Sequence, residues 1–321
     1  VIERVCVIGA GSIGSLFAGH LAQVAEVSVL TRREDHAAAL NREGLRVTGR
    51  SDLYARVTAS VDPDALEPFD LGIVATKANG LEEAATALEG RFPEATIMTT
   101  LNGLGAEEVV RAHGDWPIVS AVTFMSGTKH SDTDVEYILD TETWMGPYED
   151  CAYDRVVEVA ELVRRSGLKV EALPDLRPAQ WSKLIFNATV NAVAALTGLP
   201  HDPHFAAEET PSDLGHLVHA LVDEGKAVAA AAGIELHDDP WEMNLLATRR
   251  GSAHYPSMLE DVEARRPTEI DLITGALVRE AERHGAEAPL HTALYRLVKA
   301  KEESWRVIRS EANPTTDKEG Q

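Results

Sequence analysis

The sequence predicts an α/β domain with a parallel-rich, doubly wound sheet, followed by an all-α domain. Three observations carry this reading. Short apolar runs alternate with amphipathic stretches as far as residue 173. A glycine turn, Gly9-Ala10-Gly11-Ser12-Ile13-Gly14, joins the first apolar run to the first amphipathic stretch. Beyond Pro174 and Pro178 only helical periodicity remains.

The elements follow in order. Residues 4–9 read as a buried strand and 12–24 as a helix with Ile13, Leu16, Phe17 and Leu21 on one face. Val27 to Leu30 is a second strand, and 34–43 a helix. Leu71 to Ala75, Ala95 to Thr99 and Ile118 to Phe124 are further strands, separated by helices at 80–88 and 106–112. Residues 133–146 add more β structure, and a helix at 153–166 with a strand at 169–172 closes the first domain, residues 1–173. The second domain, 174–309, carries helical patterns at 179–197, 212–232, 240–249, 268–284 and 290–303. The polar tail, 310–321, is expected to fray.

The chain has 321 residues, is 44% hydrophobic and has a formal net charge of -22. An acidic excess of this size opposes nucleic acid and anionic membranes as partners. No run approaches the roughly 18 apolar residues of a membrane span, and no secretory signal is read. The two cysteines, Cys6 and Cys151, form no CxxC pair. Cys6 lies in the first apolar run, and a reducing cytoplasm suits the pair. The apolar helices of the second domain would suit a homodimer formed through that domain, with a monomer as the alternative.

The glycine turn is G-x-G-x-x-G in the context that gives the pattern meaning, between a strand and a helix. Gly9 permits the tight turn, Gly11 lets the backbone approach a pyrophosphate, and Gly14 lets the helix pack on the strand. The helix start at Ser12 and Ile13 offers N–H groups and a positive dipole end to phosphates. The first domain is therefore expected to be Rossmann-like and to bind a dinucleotide. The second strand ends in Thr31-Arg32-Arg33 rather than in an acidic residue. A guanidinium there suits a 2′-phosphate, which favours NADP (NADPH) over NAD, with Arg32 the contact and Arg33 a surface residue. Glu34 or Asp35 would be the acidic residue of an NAD site if the strand ended three residues later.

Other polar residues sit at strand ends or on helices. Lys77, in Thr76-Lys77-Ala78, follows the strand at 71–75, and Asn102 follows the strand at 95–99. Both positions face the ligand crevice of a doubly wound sheet, where an amide can orient a nicotinamide or a substrate carbonyl. Lys183, Asn187 and Asn191 are spaced i, i+4, i+8 and form one polar row on an otherwise apolar helix. That row is either an exposed stripe or a buried, functional one. Glu269, in Thr268-Glu269-Ile270-Asp271, reads as an acidic residue in the first turn of a helix, which alone would serve the helix dipole. His201-x-x-His204 and His216-x-x-His219 have spacings a metal could use, but no third ligand accompanies them and no metal is expected.

Together these pieces resemble the ketopantoate reductases (2-dehydropantoate 2-reductases). The matching pieces are the glycine turn, Thr76-Lys77-Ala78, Asn102-Gly103, the Lys183/Asn187/Asn191 row, Ser257-Met258-Leu259-x-Asp261 and Thr268-Glu269-Ile270-Asp271. They occur in the family's order from residue 5 to about 300. The resemblance implies a cleft between the two domains, NADPH as reductant and a small keto substrate. It implies Lys183 as general acid and Glu269 as the group that polarises it or bonds a substrate hydroxyl. Asn102, Asn187, Asn191 and Ser257 would bind substrate, and Lys77 would touch the cofactor near the nicotinamide ribose.

Some positions depart from the family pattern. His254 stands where relatives carry an asparagine, three residues before the serine. Leu199-Pro200-His201-Asp202-Pro203-His204 replaces an Asn-Gly type turn, and the loop expected from Gly127 to Asp140 is acidic and poor in glycine. These departures are expected near substrate, so another 2-oxo acid or a larger keto compound stands beside ketopantoate. A β-hydroxyacid dehydrogenase-type enzyme, or a redox sensor that binds NADP without turnover, are the competing readings.

Overall fold

The first apolar run forms β1 (Arg4–Ile8), buried after its first residue, and the glycine turn leads from it into α1 (Ser12–Leu21). The computed structural model describes residues 1–206, 212–249 and 255–311. Among them the chain divides into two compact units, Val1–Gln180 and Trp181–Gln321. His254 and residues 312–321 lie outside the described residues.

The first unit continues through β2 (Glu26–Leu30), α2 (Glu34–Glu43), β3 (Leu45–Gly49), β4 (Leu53–Ala55) and β5 (Thr58–Ser60). Then follow β6 (Leu71–Val74), α3 (Leu81–Leu88), β7 (Thr96–Thr99), α4 (Ala106–His113) and β8 (Ile118–Thr123). The unit ends with β9 (Ser126–Lys129), β10 (Asp134–Leu139), β11 (Thr143–Pro147), α5 (Tyr153–Arg165) and β12 (Val170–Ala172).

Eight strands form one sheet in the order β12-β11-β8-β7-β6-β1-β2-β5. All neighbours pair in parallel except β11 with β8, which is antiparallel. From β1 the chain moves to β2 on one side and then to β6 on the other. The strand order therefore reverses at β1, and the crevice beyond the strand ends at β1 and β6 is where such sheets bind ligands. The central strands are buried on both faces, which is why Val5, Val7, Leu71, Ile73, Ile97 and Met98 read as unbroken apolar runs. Each fully buried side chain of this size contributes roughly 1.5–3 kcal/mol.

Four strands that sequence periodicity did not resolve change the outline. The pieces β3, β4 and β9 join β10 in a second, four-stranded sheet, ordered β4-β3-β10-β9. The stretch from Gly127 to Asp140 is therefore largely a β9–β10 hairpin of this sheet rather than a loop. Its inner side packs on α1, since a methyl at Gly127 would lie 3.1 Å from Leu16 Cδ1. The fourth, β5, extends the edge of the large sheet. Asn41 holds it there, donating to the Ala59 carbonyl and accepting from the Ala59 N–H, both at 2.8 Å.

The second unit is helical: α6 (Arg177–Thr197), α7 (Asp213–Ala231), α8 (Pro240–Thr248), α9 (Ser257–Glu263), α10 (Thr274–His284) and α11 (Pro289–Glu311). The first turn of α6 precedes the unit boundary. Local chemistry sets several ends. Ser212 caps α7 through Gly215 N–H at 3.0 Å, and Asp239 caps α8 through Trp241 N–H at 2.8 Å ahead of Pro240. Glu224 on α7 accepts from the N–H groups of Leu290 and His291 at the start of α11. Two differences from sequence periodicity matter. The helix expected over 268–284 begins only at Thr274, so Glu269 lies on a turn and not in a helical first turn. In addition, α11 runs to Glu311 instead of ending at 303. Among the described residues no helix is long and apolar enough to cross a membrane.

Candidate active site

The glycine turn has the geometry its spacing implies. Gly9 sits at φ +98°, and a methyl there would lie 2.8 Å from Thr76 Cγ2. A methyl on Gly14 would lie 2.0 Å from the Gly9 carbonyl oxygen, so only glycine lets α1 approach β1 this closely. Gly11 faces open space, with nothing within 4 Å of where its Cβ would be. Gly11 is also the N-cap of α1 and provides no side-chain cap, so Ser12 and Ile13 begin the helix without one. Open space over Gly11, an uncapped helix start and a buried Thr76 hydroxyl with no hydrogen-bond partner beside Gly9 suit this crevice to a diphosphate.

Around the same strand ends the two arginines differ. Arg33 pairs with Asp132 and, at 3.4 Å, with Asp35. Arg32 is exposed, with one long ion pair to Glu83 at 3.9 Å, and its guanidinium passes near Gly80 beyond β6. Glu34 and Asp35 open α2, where Asp35 accepts from His36 N–H at 2.9 Å. Lys77 is exposed after β6, and Asn102 lies half-buried beyond β7, ahead of Gly103 and Gly105, both at positive φ. Gly9, Lys77 and Asn102 thus stand at the ends of neighbouring parallel strands.

In the second unit the polar row of α6 is not an exposed stripe. Lys183, Asn187 and Asn191 are only 8%, 8% and 7% exposed. The apolar sides of α6 are covered as well, by contacts such as Gly225 of α7, where an added methyl would lie 2.6 Å from Ile185 Cγ2. Asn191 Oδ1 accepts from Met258 N–H at 3.3 Å, which ties the row to the first turn of α9, where Ser257 is half-buried.

Glu269 is buried, and its turn is held at both ends by α11. Glu302 Oε1 accepts from Thr268 N–H at 2.8 Å and from its hydroxyl at 2.6 Å. Two residues on, Asp271 accepts from Tyr295 at 2.7 Å and from Lys299 at 2.9 Å. Burial pushes the Lys183 ammonium down from 10.5 to about 8, while the Glu269 carboxylate pulls it up. The result is a buried amine held well below the ordinary lysine range. Tyr295, Lys299 and Glu302 were not visible as part of this site in the sequence, because nothing local links them to residues 268–271.

His201 proves to be a core residue. Its Nε2 lies 2.8 Å from Asn244 Oδ1, and its ring packs edge-on against Phe186 and Phe205. His204, His216 and His219 are exposed. Among the described residues no group of three His, Cys, Asp or Glu side chains is arranged to hold a metal ion.

The first unit is a doubly wound dinucleotide-type sheet with a glycine turn, the helical unit carries Lys183 and Glu269 buried, and the relatives of this chain make it an oxidoreductase acting on ketone and CH–OH groups. The sequence matches the family described as Ketopantoate reductase PanE/ApbA over residues 5–150, and its C-terminal part over residues 175–302. A 2-dehydropantoate 2-reductase from Pyrococcus horikoshii is 30% identical over 299 residues, covering 93% of this chain and 97% of the relative. The crystal structure of a PanE/ApbA family ketopantoate reductase from Ralstonia eutropha superimposes with a TM-score of 0.84 at 26% identity, covering 95% of this chain and all of that one. The fold is also that of a D-mandelate dehydrogenase solved with NADH and anilino(oxo)acetate, with a TM-score of 0.85, 24% identity, and 94% and 99% of the two chains covered. The chain belongs to the ketopantoate reductase family.

Proposed function

We propose that this protein reduces a 2-oxo acid to the 2-hydroxy acid with NADPH, ketopantoate being the first substrate to try. The observation that carries the reading is the buried Lys183, poised at about 8 under the influence of Glu269. Relatives named 2-dehydropantoate 2-reductase along nearly the whole chain support the same reaction.

The residues divide the work. The turn Gly9–Gly14 would hold the pyrophosphate, with the backbone N–H groups at Gly11, Ser12 and Ile13 as donors. Arg32 would take the 2′-phosphate, since only a long ion pair engages it. Lys77 and Asn102 would hold the nicotinamide end. When bound, the reduced nicotinamide supplies a hydride to the carbonyl carbon. Lys183 stabilises the charge that grows on the carbonyl oxygen and gives that oxygen a proton, ending as a neutral amine. Glu269 keeps enough of the lysine protonated at neutral pH despite burial. Asn187, Asn191 and Ser257 fix the substrate's polar groups, with Asn191 also fastening the start of α9. Two free, buried cysteines suit a reducing cytoplasm.

The test is NADPH oxidation, followed by absorbance, against a panel of 2-oxo acids that includes ketopantoate. Turnover with at least one of them is expected. Tight NADPH binding without turnover on any of them would instead favour a sensor.

A further inference from the structure

We propose that Lys129 is a positioning residue for the dinucleotide loop, acting through the peptide unit between Ala10 and Gly11. Nothing in the glycine motif itself points to this residue. It comes from the second sheet, at the end of β9, and reaches α1 because Gly127 lets the strand lie against Leu16.

Lys129 is 22% exposed, and its ammonium is aimed at the loop. Its Nζ donates to the Ala10 carbonyl at 2.8 Å. It lies 3.1 Å from His36 Nε2 and 3.4 Å from Asp132 Oδ1. Asp132 is itself gripped by Arg33, and its backbone carbonyl lies 3.1 Å from His36 Nε2. Two side chains, Asp132 and His36, therefore flank the ammonium where it meets Ala10.

The consequence follows from peptide geometry. In a planar trans peptide the C=O and the N–H point in opposite directions. With the Ala10 carbonyl tied to Lys129 on one side, the Gly11 N–H must leave on the other. A cation on the carbonyl also polarises the unit and makes the N–H a stronger donor. Gly11 needs this help more than most residues, since it has no side chain to limit its rotation and no neighbour within 4 Å of its Cβ position. The inference rests on the reading that this loop binds a dinucleotide. It concerns the pyrophosphate, which NADPH and NADH share.

The experiment measures dissociation constants for NADPH and for NADH by nucleotide fluorescence, in wild type, Lys129→Met, Lys129→Arg and Asp132→Asn. Lys129→Met should weaken both nucleotides by the same factor, roughly tenfold for a lost charge-assisted bond. Lys129→Arg should restore most of the affinity. Asp132→Asn, which removes one anchor and leaves the lysine in place, should give a smaller loss, again equal for both nucleotides. Amide exchange across residues 9–14 should quicken in Lys129→Met. A loss confined to NADPH would make Lys129 a 2′-phosphate contact and overturn the proposal, as would unchanged affinity for both. If Lys129→Met does not fold, unequal or absent effects in Asp132→Asn overturn it alone. The cofactor reading fails separately, if wild type binds neither nucleotide or prefers NADH.

Discussion

Replacing Glu269 by Gln should move the alkaline limb of the reductase pH profile to lower pH. Lys183 sits at about 8 against an ordinary 10.5, so burial outweighs the carboxylate by about 3 kcal/mol against the charged form. Glu269 is the group that opposes this loss. The lysine must carry its proton to act as an acid, so in wild type kcat/KM for reduction should fall as pH rises through about 8. The reverse oxidation, which needs the neutral amine, should rise through the same range. Without Glu269 the limb should drop by roughly one to two pH units, the effect of losing a close opposite charge. At pH 7.5 that costs about three- to twenty-five-fold in kcat/KM, largely recovered near pH 5.5. Any lost contact between Glu269 and substrate would lower the rate at every pH, so the shape of the profile separates the two effects. Initial rates of NADPH consumption at subsaturating substrate give the profile directly. A limb that stays at pH 8 or moves upward refutes the reasoning.

Other perturbations test other parts. Arg32→Ala should raise KM for NADPH about tenfold or more and leave NADH unchanged, while Arg33→Ala, whose arginine is already paired with Asp132, should do much less; steady-state kinetics with both nucleotides decides. Gly14→Ala, which places a methyl 2.0 Å from the Gly9 carbonyl, should destabilise the protein by about 1–3 kcal/mol in urea and abolish measurable nucleotide binding. Asn244→Ala removes the bonds to His201 and to the Phe205 carbonyl; about 1–3 kcal/mol of stability should be lost in urea while kcat of the folded enzyme stays near wild type.

Features that were legible in the sequence are those whose causes are local. The strand, turn and helix from Arg4 to Leu21 are contiguous, so periodicity and three glycines suffice to read them. The row on α6 was visible as a spacing, but whether it was buried depended on α7 and α9. The second sheet and the edge strand β5 were hard to read because β4 and β5 are three-residue strands and β9 is polar. The alternation in Leu45-Arg46-Val47-Thr48 was a usable signal for β3. Arg32 and Arg33 are equivalent by sequence, and what separates them is Asp132, 99 positions beyond Arg33. Residues 268–271 have the composition of a helix start, yet Glu302, Tyr295 and Lys299 use Thr268 and Asp271 to hold a turn. Tertiary partners overrode local propensity there, and they did so at the residue assigned to tune the lysine.

The most direct measurement of the central claim compares wild type with Lys183→Ala, in turnover of NADPH with the best 2-oxo acid and in NADPH affinity. Loss of the proton donor should lower kcat by about a hundredfold or more while NADPH still binds with near wild-type affinity. Turnover at the wild-type rate in Lys183→Ala would contradict the account.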